Sequence, residues 1–296
     1  MERLEVLKTY KIYIGGKFPR TESGRYYTPE NKKGEQLGNI CLASRKDVRN
    51  AVVAARKAFG GWAERSAFNR SQILYRIAEM LEGRKAQFID ELIFQGVSHK
   101  EANSEVEMSI DRLIYYAGWC DKINQVMGSV NPVSSSHFNF SVTEPTGVVG
   151  VVPDGSSSLI GLISLVAPVI ASGNTCVVLA SEAMPLCSIT FAEALATSDV
   201  PGGVVNILTG MRNEMLQPLA THMDVNAMAY AGNKTEEIKE IKMLDESSAL
   251  NLKRINKYQE NWMNRDVQDL YFITDFCEVK TTWHPIENIG GATSNY

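Results

Sequence analysis

Residues 144–182 read EPTGVVGVVPDGSSSLIGLISLVAPVIASGNTCVVLASE, and this stretch decides the fold. Gly147–Val152 is a short apolar, β-branched run between Pro145 and Pro153, the pattern of a strand buried on both faces. Leu159–Ile170 is almost entirely apolar, is long enough for a buried helix and stops before Gly173. Glycine is favoured just past a helix end because it adopts the left-handed conformation at no steric cost. Thr175–Leu179 then predicts a second buried strand. Strand, helix and strand form one unit whose crossover is almost always right-handed, so a parallel sheet is expected.

Downstream, the pattern repeats. A helix is expected over Pro185–Thr197, a strand over Val204–Leu208 and a helix over Glu214–Thr221. A strand Asn226–Tyr230, a polar helix Thr235–Leu244 and a strand Leu252–Lys257 complete the series. Five strands alternating with helices predict an α/β fold, a Rossmann-like doubly wound parallel sheet.

Upstream, Lys11–Phe18 reads as two short strands joined at Gly15-Gly16, a two-residue hairpin signal. Ser44, with Asp47 three residues on, marks a capped helix start, followed at helical spacing by Val48, Ala51, Val52, Ala55 and Phe59. Ser66–Val97 reads as one long helix and Ala102–Asn124 as a third. The aromatic group Tyr115, Tyr116 and Trp119 fits packing better than a binding box. His137–Thr143 alternates apolar and polar, as a half-buried antiparallel strand does.

Composition narrows the classes. The 296 residues are 44% hydrophobic and 22% charged, with net charge −4, values of a globular chain with a full-sized core. The basic residues are scattered; even Lys253, Arg254 and Lys257 read as a solvated edge, so nucleic acid is not an expected partner. Met1–Lys8 has no apolar core, and Leu159–Ile170 is too short for a span, so neither signal peptide nor membrane is expected. Cys41, Cys120, Cys176, Cys187 and Cys277 show no CxxC spacing or disulfide framework, which points to a reducing cytoplasm. His99, His137, His222 and His284 have no metal-ligand spacing. Gly232–Thr235 lacks the upstream glycine of a P-loop, and Gly155–Ser158 lacks the frame of a nucleophile elbow.

The central stretch resembles the aldehyde dehydrogenase superfamily. Its members usually read Pro-Xaa-Gly-Val-Val-Gly, a Pro-Trp-Asn turn, Ala-Pro-Ala-Leu-Ala-Ala-Gly-Asn-Thr and a Lys-Pro-Xaa-Glu strand end. Pro145–Gly150, Ala167–Thr175 and Pro201–Gly210 keep that pattern. The resemblance implies N-terminal helices, a nucleotide-binding-type domain over 1–258 with arm strands near 10–27 and 137–143, and a C-terminal arm or oligomerisation segment over 259–296. It also implies a catalytic domain after the strand that ends in Glu-Leu-Gly-Gly. Here Tyr258-Gln259-Glu260-Asn261 stands in that place, and Phe276–Pro285 already looks like the C-terminal arm strand, so the catalytic domain is expected to be missing.

Oxidation of an aldehyde in that family needs a thiolate nucleophile, amide donors for the oxyanion, a carboxylate base and a nicotinamide to accept hydride. The asparagine turn is Pro153-Asp154-Gly155 here, the base position aligns with Tyr258, and no cysteine has the nucleophile's context. A pseudoenzyme with no catalytic residues is therefore expected. For the cofactor, NAD or NADP, the family's strand-end lysine is Leu179, while Glu182 matches the ribose-binding glutamate. Gly232-Asn233 stands for the Gly-Ser that receives pyrophosphate at a helix N-terminus. Pro153, Glu182, Gly210, Gly232 and Asn233 are thus the cofactor-binding candidates.

Asp154, Leu179, Tyr258 and Asn251-Leu252-Lys253 further resemble the non-catalytic second module of family-16 aldehyde dehydrogenases. That resemblance implies a partner or assembly subunit, with Phe138–Val142 and Phe276–Trp283 adding to another subunit's sheet. The expected partner is a full-length aldehyde dehydrogenase, with self-association as a second choice. Two other readings stay open: an NAD(P)-dependent oxidoreductase using Tyr258 or Asp154 as acid or base, and a nucleotide-sensing regulatory subunit.

Overall fold

The computed structural model describes residues 6–155, 157–232, 237–251 and 253–286. Its centre is a parallel sheet of β6 (Val148–Val152), β7 (Thr175–Leu179), β8 (Val205–Leu208), β9 (Ala227–Ala231) and β10 (Arg254–Tyr258), in the order β10-β9-β6-β7-β8. Every residue of β6, β7, β8 and β9 is buried, which is why those segments carry valine, leucine and alanine without alternation. The crossovers α6 (Ile160–Ala171) and α7 (Leu186–Ala196) pack on one face, while α8 (Arg212–Ala220) and α9 (Glu237–Asn251) pack on the other. The doubly wound sheet is as expected. The expected starts of α9 at Thr235 and of β10 at Leu252 lie outside the described residues.

The helices α1 (Arg45–Ala63), α2 (Ala67–Gly83), α3 (Lys85–Phe94) and α4 (His99–Trp119) precede the sheet, with a short α5 (Ile123–Met127) after them. In α1, the Ser44 backbone N–H and hydroxyl both donate to Asp47 Oδ2 at 2.8 Å, as the sequence signal required. The single helix expected over Ser66–Val97 is two. Gly83, a poor helix former, precedes Arg84 at φ −110°, and the break lets α3 pack on both α4 and α7. The third helix begins earlier than read, because Ser98 and Glu101 form its capping box, and it stops at Trp119.

The stretch from Thr9 onward belongs to the body. β1 (Thr9–Tyr10), β2 (Tyr26–Tyr27) and β3 (Asn39–Cys41) form a small sheet in the order β1-β3-β2. Gly15 and Gly16, at φ 60° and 80°, make the expected two-residue turn, but its flanks meet only at the Ile14–Lys17 bridge. Tyr13 instead exchanges two 2.8 Å backbone hydrogen bonds with Ile207 and covers the outer edge of β8. Of residues 10–27, read from the sequence as arm strands, Tyr13 pairs with the main sheet, while Tyr10 and Tyr26–Tyr27 pair with β3 in the small sheet.

The arm sheet is antiparallel, in the order β11-β5-β4, from β4 (Ser129–Asn131), β5 (His137–Pro145) and β11 (Cys277–Pro285). Residues 259–276, with the single turn α10 (Tyr271–Thr274), are all that separates β10 from β11. β5 is the middle strand: β11 pairs with it from Pro145 to His137, and β4 pairs on its other side. Phe138–Val142 therefore has no open edge along Asn139–Ser141, and the expectation that it accepts a further strand gives way to the outer edges of β11 and β4.

The alternation in β5 is present but faces the other way. Asn139 and Ser141 are 2% and 9% exposed, whereas Phe138 and Val130 are 45% and 68% exposed. The buried side is a polar ladder in which Asn131 Nδ2 donates to Asn139 Oδ1 and Ser141 Oγ, and Ser141 bonds Thr281 at 2.8 Å. The open side carries Val130, Phe138, Phe140 and Val142 around a groove of about 380 Å³. Among the described residues, no helix is long and apolar enough to cross a membrane.

Candidate functional site

The strand order reverses between β6 and β9. In open α/β sheets, ligands lie beyond the carboxyl ends of the strands at such a switch point. Pro153 follows β6, Glu182 lies beyond β7, Gly210 lies beyond β8 and Gly232 follows β9, so four sequence candidates all lie past the carboxyl ends of the strands. Asn233 lies outside the described residues.

Arg212, the first residue of α8, links these groups. Its guanidinium donates to the carbonyl of Pro153, and its backbone N–H donates to Glu182 Oε1. The same guanidinium sits 6.0 Å from the centre of the Tyr230 ring and 3.6 Å from Glu240 Oε2, to which the Tyr230 hydroxyl donates at 2.5 Å. A cation in the first turn of a helix opposes the helix dipole, so these acceptors hold it in place. The side chains of Arg212 and Glu240 are 16% and 18% exposed.

The glycines serve packing. Gly210 has φ 140°, and a Cβ there would come within 2.9 Å of Ala43 N, whose N–H donates to Thr209 O. A Cβ on Gly232 would come within 2.6 Å of the Tyr230 ring. Glu182 is tied twice, because its backbone carbonyl accepts from Tyr27 Oη at 3.2 Å. Burial, then the Glu182 charge, push that phenol's pKa up.

The N-terminus of α6 is also capped by the chain. Glu105 of α4 turns Oε1 onto the backbone N–H groups of Leu159 (2.9 Å) and Ile160 (3.1 Å) and onto the Ser157 hydroxyl (3.1 Å). The adjacent cavity, about 290 Å³, is lined by Glu105, Asp154 and Glu260 together with Ser157, Ile160 and Trp262. Three carboxylates around a space oppose the stabilisation of an oxyanion there.

No activated nucleophile emerges among the described residues. All five cysteines are buried and unpaired. Burial pushes Cys120 up to about 12 and Cys277 to about 11, and also pushes Cys176 and Cys187 well above the usual thiol range. These four are thiols, not thiolates, at neutral pH. Tyr258 donates its phenol to Asp275 Oδ2 at 2.8 Å; burial first, then Asp275, push the phenol up, while burial pushes Asp275 up. Among the described residues, no cluster of His, Cys, Asp and Glu could hold a metal ion.

The start of α9, where Gly232-Asn233 is expected to receive pyrophosphate, lies outside the described residues beyond Gly232. Helix N-termini receive phosphate through free N–H groups and positive potential, and those of α6 and α8 already hold Glu105 and Glu182. Sequence reading missed Glu105, Arg212 and Glu240. Arg212 left a signal in its placement, a cation just after Gly210 at a helix start. Glu105 left one in its position one residue before the apolar stripe of α4.

Residues 19–255 match the model of the aldehyde dehydrogenase family. DhaS of Bacillus subtilis is 35% identical over 230 residues, covering 76% of this chain and 46% of that protein. Mouse cytosolic 10-formyltetrahydrofolate dehydrogenase is 34% identical over 242 residues, covering 79% of this chain and 26% of that one. The NAD+ complex of an aldehyde dehydrogenase from Bacillus cereus superposes with a TM-score of 0.79 at 26% identity, covering 84% of this chain and 50% of that one. The chain therefore spans half or less of the length of each.

Proposed function

This chain belongs to the aldehyde dehydrogenase family, and from that premise we propose that it is a non-catalytic partner subunit that docks through its arm sheet onto a complete aldehyde dehydrogenase. The observation that carries this reading is the inverted face of the arm. Val130 and Phe138 are exposed and Phe140 and Val142 half-buried while Asn139 and Ser141 are buried, so among the described residues the apolar side is left uncovered. β11 adds an edge of nine residues on which Val279 and Trp283 are exposed, an arrangement suited to strand addition.

The buried thiols and the engaged Tyr258 support the non-catalytic half of the proposal. They also disfavour an NAD(P)-dependent oxidoreductase that uses Tyr258 as acid or base. The unpaired cysteines accord with a cytoplasmic location.

Sedimentation of the purified chain, alone and mixed with a complete aldehyde dehydrogenase, tests the proposal. A mixed complex that is lost in Phe138→Lys with Val130→Lys is the expected result. A chain that stays monomeric in both samples overturns it, and a homodimer alone would make the partner a second copy.

A further inference from the structure

We infer that the groove between α1 and α8 is a binding site for a small phosphorylated ligand carrying at least two negative charges. The groove encloses about 730 Å³, more than the arm groove or the acid-lined cavity, and small-molecule sites span about 300–1,000 Å³. From α1 it is lined by Arg45, Lys46 and Arg49, and from the end of α8 by Gln217, Thr221 and His222. Arg45 and Arg49 are one helical turn apart, so the two guanidinium groups share a face. Val48 and Pro218 add an apolar lining against which a ring or sugar can rest.

Charge is one-sided here, although the whole chain has a net charge of −4. Among the described residues, no carboxylate lines the groove, and Arg45, Lys46 and Arg49 have no ion pair. The acids on the same segments are engaged elsewhere. Asp47 accepts from Ser44 and from the Glu22 backbone N–H, Glu214 pairs with Arg25 at 2.8 Å, and Asp224 lies 3.8 Å from Arg56. The carboxyl end of α8 would repel an anion, but Lys253 Nζ donates to the Ala220 and His222 carbonyls there and offsets it. His222 contributes a donor. Its Nδ1 accepts the Asp224 backbone N–H at 3.2 Å, which leaves the ring proton on Nε2. Guanidinium pairs bind phosphate oxygens through charge-assisted, bidentate hydrogen bonds, so phosphate matches this lining better than a carboxylate does.

The site does not depend on docking through the arm, so either can fail alone. The experiment is calorimetric titration of inorganic pyrophosphate, ADP and glutarate into the whole chain at about 0.15 M salt, where diffuse surface attraction is screened. Three forms are compared: wild type, Arg45→Gln with Arg49→Gln, and Lys11→Gln with Lys100→Gln, which removes the same charge from outside the groove. All four side chains are exposed, and a thermal melt confirms that each variant folds. Pyrophosphate and ADP are expected to bind the wild type, with glutarate at least about tenfold weaker. The arginine pair is expected to lose at least about tenfold in affinity for both phosphates, and the lysine pair to lose none. A wild type that binds neither phosphate overturns the inference, as does glutarate binding as tightly as pyrophosphate. Equal losses in the two double variants overturn it too, because the attraction would then be diffuse. ADP binding that is unchanged in the arginine pair would place the nucleotide elsewhere and likewise overturn it.

Discussion

Tyr258, the last residue of β10, donates its phenol to Asp275 Oδ2 across 2.8 Å and so ties the central sheet to the root of the arm. Arg254 and Asn256 share that duty. Their side chains donate to the Asp275 carbonyl at 3.0 and 2.9 Å, and Arg254 reaches the Cys277 carbonyl as well. The three residues alternate along β10, so one face of one strand fastens residues 275–277. The position that the family resemblance aligns with a catalytic base is here an anchor.

Replacing Tyr258 with Phe leaves the Asp275 carboxylate without that donor. Because hydrogen bonds to charged groups contribute about 1.5–3 kcal/mol, urea unfolding should show a loss in that range. The arm should also show faster amide exchange over 277–285. An unchanged midpoint with unchanged exchange would remove the anchor.

Glu105→Ala should destabilise the chain by about 1.5–3 kcal/mol, because Leu159 and Ile160 would lose the acceptor at the start of α6. Glu105→Gln, which retains an acceptor oxygen, should recover part of that loss. Equal stability of Ala and Gln variants would show that the cap contributes nothing.

The order of strands and helices was legible because residues buried on both sides of a parallel sheet must be apolar throughout, as Val148–Val152 and Thr175–Leu179 are. The break at Arg84 was not, since α2 and α3 carry one continuous helical stripe and the turn between them follows from how α3 meets α4 and α7. The period of β5 was readable, but which face is covered depends on where Asn131 and Thr281 come to lie. At the site, the family resemblance put forward Pro153, Glu182, Gly210 and Gly232 as cofactor-binding positions. Arg212 bonds Pro153 and Glu182, and the Tyr230 ring fills the space a Gly232 Cβ would need, contacts that exist only in three dimensions.

Glu91 gives a pH signature. Burial pushes its carboxyl up from the usual 4.5, against the donors Thr190 and Tyr10 on Oε1, while Oε2 has no hydrogen-bond partner. A raised folded pKa favours the protonated form, so the contribution to stability is complete below 4.5 and is lost as pH rises through the folded value. Each unit of separation corresponds to about 1.4 kcal/mol. Unfolding midpoints from acid to neutral pH should fall more steeply in the wild type than in Glu91→Gln; parallel curves would refute this.

The thiols should be silent in the native state. With all five buried, iodoacetamide at neutral pH should label none of them, and all five should react once urea unfolds the chain. Rapid stoichiometric labelling of any native cysteine, read by peptide mass, would contradict this and reopen the search for a nucleophile.

The outward set of Val130, Phe138, Phe140 and Val142 also bears on how such a chain persists in a cell. Under the proposed docking, copies made in excess of their companion would keep a greasy ribbon bare and draw chaperones or proteolysis. Abundance would then follow the companion's supply, so that assembly ratio is regulated by turnover of orphans rather than by matched synthesis.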